Sequence, residues 1–363
     1  MRKTTLLLTI IVFFALLFKI SAASEYDLNR IHNSKTFRLE IDNDSISDRD
    51  SHFTSGWSLQ YHSLLYDSWG NSSAPELIKW IGKHLPTLNR DDSIVRNSFA
   101  IGQTAFTPED LSERYYQDGE LPYAGTLTGS LSWQSFNRIS ARNFQISVGI
   151  LGEESLSGNL HRFSHNDLHM GIDPEGWDSQ RKTEPLLNLA YQHNFTLARS
   201  EKLNDRWGWH LALRTGASLG NLTTDTQVNL ILRFGSNIIE GFAVTPTPPG
   251  FGLIQSARIP KTVVNSPHSF EIVMAIGATA LLYSVIYDGS LITSDDRDVA
   301  RDDTMINGLI GLTYQYRNTF SIHAYYFVAT DLLESNATPD HLSERDKTYP
   351  DPSYAAISLD YHF

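Results

Sequence analysis

Histidines 161, 165 and 169 recur at a four-residue spacing within "HRFSHNDLHM". On a helix that spacing lines one face. A second polar cluster, "IDNDSISDRDSHFTSG", gathers Asp42, Asn43, Asp44, Asp48, Arg49, Asp50, His52 and Thr54. A third polar stretch runs from Gly102 to Gly125 and carries Arg114. These residue types suit hydrolysis of an acyl ester. A histidine can deprotonate water, and a donor or cation must then stabilise the oxyanion. The chain has no cysteine and no G-x-S-x-G elbow, which favours water over a covalent nucleophile. Asp42, Asn43, Asp44 and Thr54 offer the oxygen ligands that a hard cation such as calcium prefers, without EF-hand spacing. Three plainer readings stand beside these. The histidines can chelate a transition metal, although no H-E-x-x-H is present, or they can be incidental on a solvated loop helix. The acidic cluster can be no more than an exposed hairpin.

The rest of the chain must place these groups. It has 363 residues and a formal net charge of -12. Arg2 and Lys3, the apolar run from Leu6 to Phe18 and the small residues Ser21-Ala22-Ala23 read as a secretory signal peptide over residues 1–23. Its removal leaves residues 24–363 more acidic still, which argues against nucleic acid as a partner. An exported chain without cysteine has no disulfide framework and must be held by packing and backbone pairing. After Ala23 no apolar run reaches 18 residues, so membrane-spanning helices are excluded. A soluble secreted domain and an outer-membrane barrel both remain, because a barrel strand shows lipid only every second residue.

Periodicity separates them. "YAAISLDYHF" sets Ile357, Leu359, Tyr361 and Phe363 against Ser358, Asp360 and His362. "FSIHAYYFV" sets Phe320, Ile322, Ala324, Tyr326 and Val328 against Ser321, His323 and Tyr325. "INGLIGLTYQY" and "NFQISVGIL" repeat the pattern. Twelve such segments span roughly 37–42, 54–65, 94–103, 124–136, 143–151, 186–196, 207–218, 226–235, 270–287, 304–317, 319–331 and 353–363. The expected fold is all-β, a transmembrane antiparallel barrel of about twelve strands with small helical segments in its loops. The alternative is a soluble sandwich. Ending on Phe363 resembles the terminal aromatic of bacterial outer-membrane proteins.

With both ends periplasmic, the connections 43–53, 104–123, 152–185, 219–225, 288–303 and 332–352 face outward, and the three polar stretches fall among them. Two long connections lie on the other side. "PELIKWIGKHL" within 66–93 has helical spacing and is expected to plug or cap the periplasmic end. The Pro- and Gly-rich 236–269 is expected only to be a long structured turn.

The three blocks "EIDNDSISDRDSHFTSGW", "GQTAFTPEDL…LPYAG" and "LG…HRFSHNDLHMGIDPEGWDSQRKTEP", in this order, resemble those of the outer-membrane lipid A 3'-O-deacylases, the LpxR-like family. The resemblance implies a twelve-stranded barrel that removes the 3'-linked acyloxyacyl chain of lipid A in a calcium-dependent reaction near the outer-leaflet rim. Carried over by residue, Asn43 and Asp44 match an Asn-Asp pair, Thr54 a strand-two threonine, and His165 the histidine that activates water. His161 stands where the family has glutamine. Arg114 is the candidate for the basic residue of the second block, and Asp173 for a carboxylate following the histidine. The implied roles are His165 as base, with His161 orienting the water or the His165 ring. Asp44, Asn43 and Asp173 hold calcium, with help from Thr54, and Arg114, Arg162, Arg181 or Lys182 meet lipid A phosphates. The implied partners are lipid A or lipopolysaccharide and the outer membrane, with the protein as a monomer. A silent porin or adhesin and an outer-membrane phospholipase are the alternatives.

Overall fold

The computed structural model describes residues 28, 31–44, 52–117, 119–167, 173–200, 203, 206–246, 258–259, 266–295, 297–330, 332 and 353–363. Residues 1–23 and His169 lie outside these. Among the described residues no helix is long and apolar enough to cross a membrane.

The strands are β1 (Thr36–Asn43), β2 (His52–His62), β3 (Ile94–Thr107), β4 (Ala124–Phe136), β5 (Ser140–Leu151), β6 (Glu184–Arg199), β7 (Gly208–Gly220) and β8 (Thr223–Ser236). There follow a short pair, β9 (Glu240–Gly241) and β10 (Arg258–Ile259), then β11 (His268–Ser284), β12 (Thr304–Tyr316), β13 (Phe320–Ala329) and β14 (Ser353–His362). All but β9 and β10 close into one antiparallel barrel. It seals where β1 meets β14, from Thr36 opposite His362 to Asn43 opposite Ala355. Closure pairs every strand on both sides, which a sheet in hydrocarbon requires. The twelve strands coincide with the twelve segments of alternating polarity, because the period of two sets the face that each side chain meets. Phe37, Leu39 and Ile41 of β1 and Ile357, Leu359 and Tyr361 of β14 are exposed on the outside, where lipid takes the place of water.

The inward face carries buried ion pairs at one end and apolar side chains at the other. On the side of the chain ends, Arg38 clamps Asp360 with Nε and Nη2 at 2.6 and 2.7 Å, and His323 joins Asp360 at 3.3 Å. Arg233 donates to Glu271 at 2.8 Å. All five of these side chains are buried, and buried charges persist only when paired in this way. Towards the opposite rim the filling turns apolar, with Phe53, Phe106, Leu151, Val273, Leu309 and Tyr354 in one cluster.

Of the two long connections on the side of the chain ends, the second and not the first enters the barrel. The helix α1 (Glu76–His84) forms as its spacing predicts, but it neither plugs nor caps the barrel. Its Ile78 and Ile81 pack with Trp69 on Val95, Leu131, Trp133, Phe144 and Ile146. Those wall residues share parity with Phe99, Ile101 and Val148, which are 52%, 38% and 57% exposed, so they belong to the outer surface. Trp133 donates its indole N–H to the Ile78 carbonyl at 2.9 Å. An amphipathic helix reaches that surface more readily than a polar lumen, because the wall beneath it is apolar.

The plug is the connection after β8. Arg233 donates to the carbonyls of Gly241 and Ile239, both at 2.8 Å. Arg214 donates to Ala243 O at 3.0 Å and to Thr245 Oγ1 at 2.5 Å, and Tyr325 donates to the Val244 carbonyl. Phe242 is buried against the His210 ring. Inward-facing arginines thus satisfy the irregular backbone of this segment, without which it would not survive inside the barrel.

The placement of α1 makes a prediction. Leu77 and Trp80 are 68% and 58% exposed and point away from the wall, with Lys79 and Lys83 beside them. Such a helix belongs at the boundary of headgroups and acyl chains. In bilayers, the emission lost on Trp80→Phe should be blue-shifted and quenched by lipids brominated near the glycerol. Emission typical of an indole in water, untouched by those lipids, would contradict this position.

Candidate active site on the outer wall

At the rim opposite the chain ends, the connection from β5 to β6 folds back over the outside of the barrel. Gly152 opens the turn with a φ of 93°, a conformation that glycine adopts without strain. A short turn (Glu153–Ser155) leads into α2 (Ser157–Arg162), followed by a wider π turn (Phe163–Asp167). The helix lies directly on β3 and β4. Ser157 donates to the Thr104 carbonyl at 3.1 Å, and Gln103 donates to the Ser155 carbonyl at 2.6 Å. Trp57 donates its indole N–H to Gln103 at 2.9 Å. Gly125 makes the approach possible, since a Cβ there would lie 2.4 Å from the Ser157 Cβ.

Two further loops clamp the helix. Trp177, on a short turn (Gly176–Ser179), is buried with Ala105, Leu111 and Tyr123. A Cβ on Gly158 would come within 2.9 Å of the Trp177 ring. Arg297 holds the same turn through the carbonyls of Ser179 and Gln180 at 2.6 and 2.9 Å, and pairs with Asp295 at 2.6 Å. Burial would raise the Asp295 pKa. The hydrogen bond from Arg297, the Lys182 amide and the nearby Arg181 outweigh it and hold Asp295 at about 2.

Within this frame His161 and His165 touch. Their Nε2 atoms are 3.0 Å apart and their rings meet edge-on. Trp177 donates its indole N–H to His161 Nδ1 at 3.0 Å. An indole nitrogen only donates, so Nδ1 of His161 carries the lone pair and the neutral ring bears its proton on Nε2. That proton points at His165 Nε2, which therefore accepts. Burial, followed by the His165 ring and Arg162, pushes the His161 pKa down to about 3.

The sign of this shift gives a prediction. The unfolded loop binds a proton near the ordinary histidine value of about 6.5, whereas the folded loop does not until about 3. Stability is therefore complete above about 6.5 and falls by up to roughly 1.4 kcal/mol per pH unit below it. The protection of the Trp177 indole hydrogen against exchange should decline between pH 6 and pH 4. Constant protection across that range would contradict the arrangement.

The remaining candidates fall in two places. At the ends of β1 and β2, Asn43 donates its amide to the Thr54 carbonyl at 3.0 Å, and the Asp44 amide reaches the same oxygen at 3.4 Å. Thr54 sits at a register shift and exchanges a hydroxyl hydrogen bond with Thr107 at 2.7 Å. Asp44 and Thr54 are buried, and Asn43 keeps the outward parity of Phe37, Leu39 and Ile41. This group stands on strands that adjoin those beneath α2. The second place is a cleft of about 580 Å³ lined by Arg114, Arg162, Asp173, Glu175 and Asp178. Arg114 pairs with Glu175 at 3.0 Å and Arg162 with Asp178 at 2.7 Å. Asp173 is thus placed among guanidinium groups. Arg181, expected to meet phosphate, is instead wholly buried and bound to Asp295 and the Ile286 carbonyl, so it ties loops together and cannot meet a ligand. Lys182 is engaged by Ser294.

For a hard cation the donor type fits. Asp44 offers a carboxylate, and Asn43 offers its side-chain oxygen because its nitrogen is held by Thr54. The number is incomplete, since calcium takes about six to eight oxygens. Among the described residues no group of three or more His, Cys, Asp or Glu converges.

No role for Trp177, Gln103 or Thr107 follows from the sequence alone, although Trp177 lies in the Gly-Trp-Asp stretch of the third block. Gln103 had a signal, being a polar side chain at a lipid-facing position in line with Phe99 and Ile101.

A closed twelve-stranded barrel with an apolar belt and polar groups at one rim defines a multi-pass protein of the bacterial outer membrane. The family model described as outer membrane protein LpxR matches residues 7–348, and the chain belongs to that family. Among solved structures, LpxR from Salmonella typhimurium aligns with 14% identity over 90% of this chain and 100% of its own, with a TM-score of 0.68, which shows a shared fold. The β domain of the Bordetella autotransporter BrkA aligns at 11% identity over 91% and 98% of the two chains, with a TM-score of 0.40. No curated protein matches.

Proposed function

We propose that the protein, acting as a monomer, hydrolyses the 3'-linked acyloxyacyl ester of lipid A. The observation that carries this reading is the position of the histidine pair. It is carried by α2 and the turn that follows, buried against the outer wall of the barrel and not in the lumen. Membership of the LpxR family supports lipid A as substrate.

His165 takes a proton from water, and the oxygen attacks the ester carbonyl carbon. The tetrahedral oxyanion collapses and breaks the bond to the sugar oxygen, which leaves with the proton from His165. The products are a free fatty acid and a sugar hydroxyl. General base catalysis of this kind contributes about 10²- to 10⁴-fold. A calcium ion held through Asp44 and Asn43 would supply positive charge for the oxyanion. Thr54 fixes Asn43 by accepting its amide hydrogen. Arg114 and Arg162 offer guanidinium forks for the phosphates of lipid A, once these displace Glu175 and Asp178.

Against a channel stand the apolar cluster on the inward face and residues 239–245, which enter the barrel and bond to Arg233, Arg214 and Tyr325. A phospholipase shares the chemistry and differs only in substrate. Purified protein should therefore be given lipid A and a glycerophospholipid together, with and without chelator. Loss of the acyloxyacyl chain from lipid A alone, diminished by chelator, is the expected result. Release of fatty acid from the glycerophospholipid alone would replace this reading with the phospholipase.

A further inference from the structure

We propose that Trp177 fixes His161 as an N–H donor that holds the attacking water against His165. The proposal rests on the hydrolytic reading of the pair and adds a donor and a positioning residue to it. Both ring nitrogens of His161 are committed. Nδ1 accepts from the Trp177 indole at 3.0 Å, and Nε2 faces His165 Nε2 at 3.0 Å. An imidazole has one tautomer that satisfies a donor at Nδ1, so Nε2 carries hydrogen for as long as Trp177 stays in place. Trp177 is held there by packing on Gly158 and Tyr123 and by the Arg297 contacts to its own turn.

A water can bridge the two nitrogens once the rings part from their 3.0 Å contact. A water that enters between them keeps every partner satisfied. It accepts from His161 Nε2–H, donates one hydrogen to His165 Nε2, and turns a lone pair to the ester carbon. When His165 takes the proton, His161 still donates and does not compete for it. Without Trp177, His161 can carry its proton on Nδ1. Its Nε2 lone pair then faces that of His165, and the water loses its donor.

The test uses the full-length protein in four forms: wild type, Trp177→Phe, His161→Gln and the double variant. A glutamine amide donates without help from an indole, so it removes the need for Trp177 while leaving the packing change of Trp177→Phe in both backgrounds. Trp177→Phe should lower kcat roughly 10- to 100-fold with KM little changed. His161→Gln sets its own reference rate, and adding Trp177→Phe to it should lower that rate little further. Equal losses in the two backgrounds would assign Trp177 a packing role and overturn the proposal. A second readout is the pair of ¹⁵N shifts of His161, which should show hydrogen on Nε2 alone in the wild type and a mixture of tautomers in Trp177→Phe. Hydrogen on Nδ1 in the wild type would also overturn it. A wild type that hydrolyses no ester would instead bring down the hydrolytic reading itself, whatever the shifts show.

Discussion

His165→Ala is expected to lower hydrolysis of the lipid A ester by about 10²- to 10⁴-fold while leaving the barrel intact. His165 is the member of the pair whose Nε2 accepts, and thus the one with a basic lone pair at the contact. Replacing it removes the acceptor for the water proton and leaves His161 directing its N–H at empty space. The barrel should be indifferent, because the side chain sits on a loop outside the strands and contributes nothing to the closure between β1 and β14. The check is a rate measured on purified protein, with the shift in gel mobility on heating as the control for folding. Full activity with normal folding would remove His165 from the role of base.

The second large effect concerns a residue with no chemistry of its own. Gly125→Val should abolish activity with the barrel retained. A Cβ at Gly125 would stand 2.4 Å from the Ser157 Cβ and 2.5 Å from the Ser155 Oγ. These are contacts that real atoms do not make, so α2 must lift from the wall. The helix carries His161, and lifting it also strains the contact of Gly158 with Trp177. A displacement of about 1 Å at a catalytic group costs on the order of 100-fold, and here two groups and their clamp move together. Gly125 lies at the end of β4, opposite Ala105, where valine suits the strand itself. Loss of activity with unchanged heat-modifiability is therefore expected. Retained activity would mean that α2 has another position from which it works.

Much of this architecture was legible because a barrel writes its geometry in a period of two. Phe320, Ile322, Tyr326 and Val328 show the outer face, and Ser321, His323 and Tyr325 the inner one, without any knowledge of their partners. The i, i+4 spacing of His161 and His165 likewise anticipated their contact. The first long connection lies elsewhere than expected, because periodicity reports that a helix is amphipathic and not which apolar surface it meets. The fact that Val95, Trp133 and Phe144 form a dry patch on the wall depends on three strands being adjacent. The plug was invisible for a similar reason. Its backbone is satisfied by Arg233 and Arg214 from β8 and β7, and neither strand advertises such a partner. Trp177 stood within a polar loop stretch, and only the fold shows that its N–H sets the tautomer of a histidine 16 residues earlier.

The histidine pair buried against the outer wall is proposed to cleave an acyl ester of lipid A. Mass spectrometry of lipid A from bacteria expressing the wild type or His165→Ala tests it most directly. Wild-type cells should lose the mass of the 3' acyloxyacyl group, and His165→Ala cells should keep it. Lipid A of unchanged mass in the presence of correctly folded wild-type protein, or equal loss in both strains, would contradict it.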